Sequence, residues 1–188
     1  MKPLTTSTPH VIIMVGIPGA GKTTFAENFA KTFHAPVVNF NDIAAITEDD
    51  GAMTKKVAAL LLHELLKTHH TLIYEGPTDT KAARMDITKY ITAAGYKPLL
   101  VWVQTESMEA KRRATKKSKT GAPLSSEAFD AAIQAFSAPA LTENPVVISG
   151  KHTYATQLKI ILKHLAGSER PEPPTTPRLS PTRNIIVR

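Results

Sequence analysis

The chain has 188 residues, 42% of them hydrophobic, which suits one domain with a full core and argues against global disorder. It has no cysteine, which removes disulfides, thiolate metal sites and cysteine nucleophiles, and it has no apolar run of about 18 residues that would span a membrane. The formal net charge of +7 is local: Lys111, Arg112, Arg113, Lys116, Lys117 and Lys119 form one basic run, the segment from Gly167 adds four arginines against two glutamates, and the remainder is within one charge of neutral. Local positive charge points to an anionic partner, with a solvated helix face as the competing reading.

The opening "MKPLTTSTPH" lacks the apolar stretch of a secretory signal, so the expected location is the cytoplasm. Val11–Val15 is a short apolar run with glycine after it and reads as a buried strand. From Lys22, Phe25, Phe29 and Phe33 recur at helical spacing. Ala35–Phe40 reads as a second strand, and the segment from Asn41 to Gly51 as loop or a short helical turn. Met53–Thr68 predicts a strong helix with Val57, Leu61 and Leu65 on one face. Thr71–Glu75 predicts a third strand, followed by a helix to about Ala94 that Thr78 or Asp79 would cap and Gly95 would end. Pro98–Val103 predicts a fourth strand. A basic helix over Glu106–Lys119 follows, then a break at "TGAP", then a helix capped by Ser125 or Ser126 and running to about Phe136. Asn144–Ser149 predicts the fifth strand, and His152–Ala166 the last helix. Strands alternating with helices imply an α/β fold, a five-stranded parallel sheet with helices on both faces. Beyond Gly167 five prolines leave little room for helix or strand, so 167–188 reads as an extended tail whose end, "NIIV", is apolar enough to dock.

Between the first strand and the first helix stands "GIPGAGKTT". Gly16, Gly21, Lys22 and Thr23 satisfy G-x-x-x-x-G-K-[ST], in the strand–loop–helix context that a phosphate-binding loop requires. Glycines let the backbone turn its N–H groups inward around phosphate oxygens, and the helix N-terminus adds partial positive charge. Gly16, Pro18, Gly19, Ala20, Gly21, Lys22, Thr23 and Thr24 are therefore the expected nucleotide-binding residues, with Pro18 stiffening the loop. In this pattern Lys22 reaches the β and γ phosphates of ATP, and the Thr23 hydroxyl ligates Mg²⁺. No N-K-x-D sequence for reading guanine stands near the later strands, and the third strand ends in a single acid, Glu75. "HELLK" at His63 lacks the second histidine of a zinc pair, His69 and His70 read as the end of a helix, and Trp102 reads as packing in a core strand.

From Val11 to Ala166 the sequence resembles the small P-loop kinases of the polynucleotide kinase and zeta-toxin type. Four segments carry the resemblance: "GIPGAGKTT", "VVNFNDI", "LIYEGPTDTKAARMDITKYITAAGYKPLLVWV" and "EAKRRATKKSKTGAPLSSEAF". It implies a P-loop NTPase fold over 1–166, with a helical lid at about 106–136. It also implies transfer of the ATP γ-phosphoryl group to a hydroxyl of a small molecule, a nucleotide or a nucleic-acid 5′ end. On this resemblance Asp42 accepts the hydroxyl proton. Glu75 holds an Mg²⁺-bound water or orients the acceptor, which leaves the base open between the two. Arg112, then Arg113 and Lys116, supply the lid cations that meet the transferring group. The competing structural readings are a helix N-cap for Asp42, a surface carboxylate for Glu75 and a cap for Asp79. Arginine is expected two or three residues beyond the base in polynucleotide kinases, and this chain has Ala44 and Ala45. A zeta-type nucleotide-sugar kinase and a nucleotide-binding module that has lost transfer stay open. The surplus of lid charge suits an acceptor that is itself phosphorylated, nucleic acid included, and the lack of a long apolar run leaves no membrane partner expected.

Overall fold

The structure is a computed structural model and describes residues 8–48, 50–116 and 123–167. The end of the basic run with Lys117 and Lys119, the break at 120–122 and the proline-rich segment with "NIIV" lie outside the described residues. Strand β1 (His10–Val15) is buried on both faces, which is why it reads as an unbroken apolar run. Among the described residues it is the middle strand of the expected five-stranded parallel sheet. The order is β2-β3-β1-β4-β5, with β2 at Val37–Asn39, β3 at Leu72–Glu75, β4 at Lys97–Gln104 and β5 at Val146–Ser149. Side-chain alternation along β1 splits the core in two. Val11, Ile13 and Val15 pack with Ala58 and Leu62 of α3 (Gly51–Leu66) and Ile91 of α4 (Lys81–Ala93). Ile12 and Met14 pack with Phe25 and Phe29 of α1 (Lys22–Phe33) and with Ile161 and Leu165 of α7 (Tyr154–Gly167).

Register places the strand ends. Ile13 lies opposite Tyr74, so Glu75 comes level with the end of β1, and Asn39 lies opposite Glu75. On the other side Val15 lies opposite Trp102. The carboxyl ends of four strands therefore converge where the loop after β1 begins, the place where open α/β sheets bind ligands.

Helix termini differ from expectation where side chains compete for the caps. The second strand stops at Asn39, whose side chain accepts a hydrogen bond from the Asn41 N–H (2.9 Å) and starts helix α2, Phe40–Ile46. Asp42 is thus not the cap; it sits in the first turn of α2. Thr80, rather than Thr78 or Asp79, caps α4 by accepting from the Ala83 N–H (3.2 Å). Ser125 caps α6 (Ser126–Ala135), one of the two expected caps. The basic helix is shorter than expected: α5 (Ser107–Ala114) ends at Thr115, whose hydroxyl donates back to the Lys111 carbonyl at 2.9 Å. Lys116 therefore lies beyond the helix and does not share a helical face with Arg112.

The buried stripe of α3 is also shifted. Thr54, Ala58, Leu62 and Leu66 are buried, whereas Val57 and Leu61 are 37% and 38% exposed. Leucines on several sides of this helix make periodicity ambiguous by one residue, and the cap resolves it. The Asp50 side chain accepts from the Ala52 and Met53 N–H groups, and the Thr54 hydroxyl meets that of Thr47 at 2.6 Å. That fixes Thr54 inward, and every fourth residue follows. Leu62→Ala is expected to lower stability by about 2–5 kcal/mol, and Leu61→Ala by about 1 kcal/mol or less, in urea unfolding. The reverse order would return the core stripe to Val57 and Leu61.

Candidate active site

Residues 16–21 join β1 to α1, and two neighbours brace them through backbone contact and a third through a hydroxyl. Gly19 has φ 74°, and a Cβ there would run into the carbonyl oxygen of Ala110 in α5. Gly150, just after β5, lies so close that a Cβ would strike the Ala20 carbonyl oxygen and the Thr105 hydroxyl. That hydroxyl donates to the same Ala20 oxygen at 2.9 Å. Helix α5, read from sequence as lid, therefore packs its backbone directly on the loop. Ala20 is buried, Gly16 too, Ile17 and Pro18 are half-buried and Thr24 is exposed. Gly21 is the left-handed N-cap of α1, with φ 109°.

At the start of α1, Lys22 Nζ donates to the carbonyl oxygens of Gly16 (2.7 Å) and Ile17 (3.2 Å). Burial pushes its pKa down, and the charges of Glu75 and Asp79 oppose that shift. The Thr23 hydroxyl donates to Glu75 Oε1 at 2.6 Å. The other oxygen, Oε2, is buried and has no hydrogen-bond partner among the described residues. Glu75 is thus no surface carboxylate. Burial raises its pKa, the Thr23 hydrogen bond and the Lys22 charge oppose the rise, and the charges of Asp42 and Glu27 add to it. A buried anionic oxygen without a partner, beside a hydroxyl, suits a hard divalent cation. Among the described residues no three metal-binding side chains cluster. Thr23 and Glu75 would then hold Mg²⁺ together with waters and nucleotide phosphates, as Mg²⁺ sites usually do.

Asp42 is exposed at the first turn of α2, with its charge felt at Glu75. Asp79, expected as a cap, is exposed with its charge felt at Lys22, which brings a third acid to the site. Neighbouring Thr78 is buried and donates to the Met14 carbonyl at 2.8 Å, tying the loop after β3 to β1.

The cations of the basic run are arranged differently from a free patch. Glu109 accepts from Arg112 Nε and Nη2, both at 2.7 Å, and from Arg113 Nε at 2.8 Å. These bonds hold the Glu109 pKa down to about 2, the bonds from Arg112 contributing most. Arg113 also donates to the Gly150 carbonyl at 3.0 Å, and Lys111 pairs with Asp130 of α6 at 2.7 Å. Lys116 is exposed just past α5.

Sequence reading missed a buried arginine. Arg84 is buried, with Nε and Nη2 donating to the two carboxylate oxygens of Glu143 at 2.7 and 3.0 Å. Its Nη1 donates to the carbonyls of Thr78 (3.0 Å) and Ser137 (2.8 Å). The signal was present: Arg84 stands three and seven residues before Ile87 and Ile91, on the apolar stripe of α4.

The family described as an AAA domain matches residues 11–139. The chain belongs to that family. No curated protein matches it. Among solved structures it is similar to a gluconokinase from Sinorhizobium meliloti 1021, at 15% identity and TM-score 0.62 over 85% of this chain and 93% of that one. A sugar kinase from Janibacter sp. HTCC2649 matches at 17% identity and TM-score 0.62, over 85% and 95%. An APS kinase from Mycobacterium tuberculosis, in complex with AMPPNP and APS, matches at 14% identity and TM-score 0.62, over 85% and 98%. These likenesses establish a P-loop NTPase fold. No helix among the described residues is long and apolar enough to cross a membrane.

The raised pKa of Glu75 gives the domain a pH signature. The folded state holds this proton more tightly than the unfolded chain, so the group's contribution is largest below the ordinary carboxylate pKa of about 4.3 and declines as pH rises through the raised value. In urea unfolding without nucleotide, Glu75→Gln is expected to lack that part of the decline above about pH 5. Equal pH slopes in the two proteins would place the carboxylate in water.

Proposed function

We propose that this AAA-domain protein is an ATP-dependent kinase that transfers the γ-phosphoryl group of ATP to a hydroxyl. The observation that carries the reading is the Thr23–Glu75 pair at the mouth of the phosphate loop, with one carboxylate oxygen buried and unpartnered. A loop that only turned the chain would have no use for that oxygen. Bound Mg²⁺ supplies charge neutralisation of the phosphates. Lys22 exchanges its two carbonyl partners for phosphate oxygens, which are better acceptors.

The acids divide by environment. Glu75 is buried, hydrogen-bonded to Thr23 and close to Lys22, and it serves the metal side. Asp42 is exposed in the first turn of α2, across the strand ends, and is free to meet an acceptor hydroxyl. The acceptor oxygen bonds to the γ-phosphorus, the bond to the bridging oxygen breaks, ADP leaves and the hydroxyl proton passes to Asp42. Arg112, held among the described residues by Glu109 alone, is the cation best placed to swing onto the transferring group, with Arg113 anchoring α5 at Gly150 and Lys116 beyond the helix end. The three structural neighbours named above are kinases by name, which supports phosphoryl transfer. A polynucleotide or zeta-type acceptor would draw on Lys117 and Lys119, which lie outside the described residues.

Mg²⁺-ATP at a hundredfold excess over its dissociation constant is expected to stabilise the fold by about 2.7 kcal/mol, and Lys22→Ala to remove most of that shift in thermal unfolding. Asp42→Asn is expected to keep the shift and slow ADP release by a factor of about 10² or more. An unchanged melting temperature in the parent protein would overturn nucleotide binding. Normal turnover in Asp42→Asn, with loss in Glu75→Gln, would move the base to Glu75.

A further inference from the structure

Gly19 and Ala20 of the phosphate loop are held from outside by groups that the loop motif does not contain. Gly150, the first residue after β5, lies so close to the Ala20 carbonyl oxygen that any Cβ would strike it. Its backbone is outside the left-handed region, so glycine is required here by space and not by φ. Its N–H donates to the Gln104 carbonyl at 2.8 Å, and its own carbonyl accepts from Arg113 Nη1 at 3.0 Å. Gly150 is thus pinned on one side to the end of β4 and on the other to α5.

Thr105 adds a second hold, since its hydroxyl donates to the same Ala20 oxygen at 2.9 Å. At the neighbouring residue, a Cβ on Gly19 would strike the Ala110 carbonyl of α5 and come within 3.1 Å of the Ala114 nitrogen. The contacts close a ring: Gly19 on α5, α5 through Arg113 on Gly150, and Gly150 on Ala20. Glu109 supports the ring by accepting from Arg113 Nε at 2.8 Å, which fixes the guanidinium with one edge on Glu109 and another on Gly150.

The loop acts through backbone N–H groups turned onto phosphate oxygens, and donors of this kind have to be held to within about 0.5 Å. Ala20 stands directly before Gly21, Lys22 and Thr23. A Cβ at position 150 would meet the Ala20 oxygen well inside van der Waals contact, and relieving the overlap takes a displacement of about 1 Å. If the loop moves, its donors are misplaced. If Gly150 moves, Ala20 loses its brace.

We propose that Gly150, Arg113 and Thr105 are positioning residues that set the affinity of the phosphate loop for polyphosphate by fixing Ala20 from outside. Arg113 acts through its hydrogen bond to Gly150, not as a charge on phosphate, and leaves the transferring group to Arg112. The inference rests on the nucleotide-binding part of the kinase reading.

The probes are Mg²⁺-ATP and inorganic tripolyphosphate with Mg²⁺, titrated calorimetrically on the full chain at a temperature where each protein is folded. Gly150→Ala is expected to weaken both by about tenfold or more and by the same factor, because the loop holds phosphate whether or not a nucleoside is attached. Thr105→Val adds no bulk and removes the donor; it is expected to weaken both about three- to tenfold, and it carries the test alone if Gly150→Ala does not fold. Arg113→Ala is expected to weaken both by a similar factor, unchanged between about 50 and about 500 mM salt, since screening acts on charge pairs and little on a bond to a carbonyl. Arg113→Lys is expected not to rescue, because an ammonium cannot bond Glu109 and Gly150 in two fixed directions. Gly95→Ala is the control for lost stability. It has φ 82° with nothing within 4 Å of a Cβ, and it precedes β4 at the opposite end of the sheet. It is expected to lower Tm and leave both affinities unchanged.

Binding of both probes within about twofold of the parent in Gly150→Ala and Thr105→Val would overturn the proposal. Weaker Mg²⁺-ATP with unchanged tripolyphosphate would set these residues against the nucleoside and overturn it too. A loss in Arg113→Ala that fades as salt rises would make Arg113 a phosphate ligand and overturn its positioning role. Failure of the nucleotide reading would show separately, in a parent protein that binds neither probe; that result overturns both.

Discussion

The Thr23–Glu75 hydrogen bond is the contact on which the site turns. It joins the first turn of α1 to the last residue of β3, two elements 52 residues apart in sequence. Parallel pairing makes it available. Because Ile13 faces Tyr74, the residue after Tyr74 stands level with the end of β1, where the phosphate loop leaves the sheet. A slip of one residue in that register would send Glu75 to the other face and Tyr74 to the loop. The bond satisfies one carboxylate oxygen and leaves its twin buried. Burying half of a carboxylate is costly, so the fold carries a local instability that a divalent cation would relieve. That links packing to function more tightly than the loop motif does alone.

How much of this is legible in the sequence follows from which interactions are local. The phosphate loop is legible because its glycines, lysine and threonine act within nine residues, and the strand before and helix after it have strong periods. The sheet is legible for the same reason: each strand is a short apolar run, and alternation with helices implies parallel order. The face of α3 is not, because Leu60, Leu61, Leu62, Leu65 and Leu66 satisfy more than one helical stripe, and the decision rests on Asp50 and Thr47 outside the apolar run. The caps of α2 and α4 fell one to three residues from expectation because several Asn, Asp and Thr side chains competed at each end. Composition alone could not choose among them.

The basic run shows the limit of counting charge. From sequence it is six cations with no acid among them. In space Glu109, one turn back, takes both arginines, and Asp130 reaches across from α6 to take Lys111. These pairs are exposed enough that each contributes little to stability. Their effect is on geometry: Lys111–Asp130 joins α5 to α6, and Glu109 fixes both arginine side chains along α5. Polyphosphate offers a denser anion than one carboxylate, so an arginine held by Glu109 can change partner without leaving a buried charge behind.

Arg84 presents the opposite case. Its guanidinium is fully buried, paired through Nε and Nη2 with Glu143 and bonded through Nη1 to carbonyls from Thr78 and Ser137. A buried pair of this kind is weak evidence for stability, since two well-packed apolar side chains often do as well. What apolar residues would not do is join three backbone segments at fixed distances. One is the loop after β3, which carries Asp79 and, through Thr78, reaches the Met14 carbonyl. Another is the chain just after α6, where Ser137 donates its N–H to the Asp79 carbonyl at 2.8 Å. The third is the turn at Glu143 that leads into β5. Through Arg84 the loop that carries Asp79, the chain after α6 and the turn before β5 are held by one rigid fork, so the position of the acid near Lys22 is fixed from inside the protein rather than by the loops that face solvent.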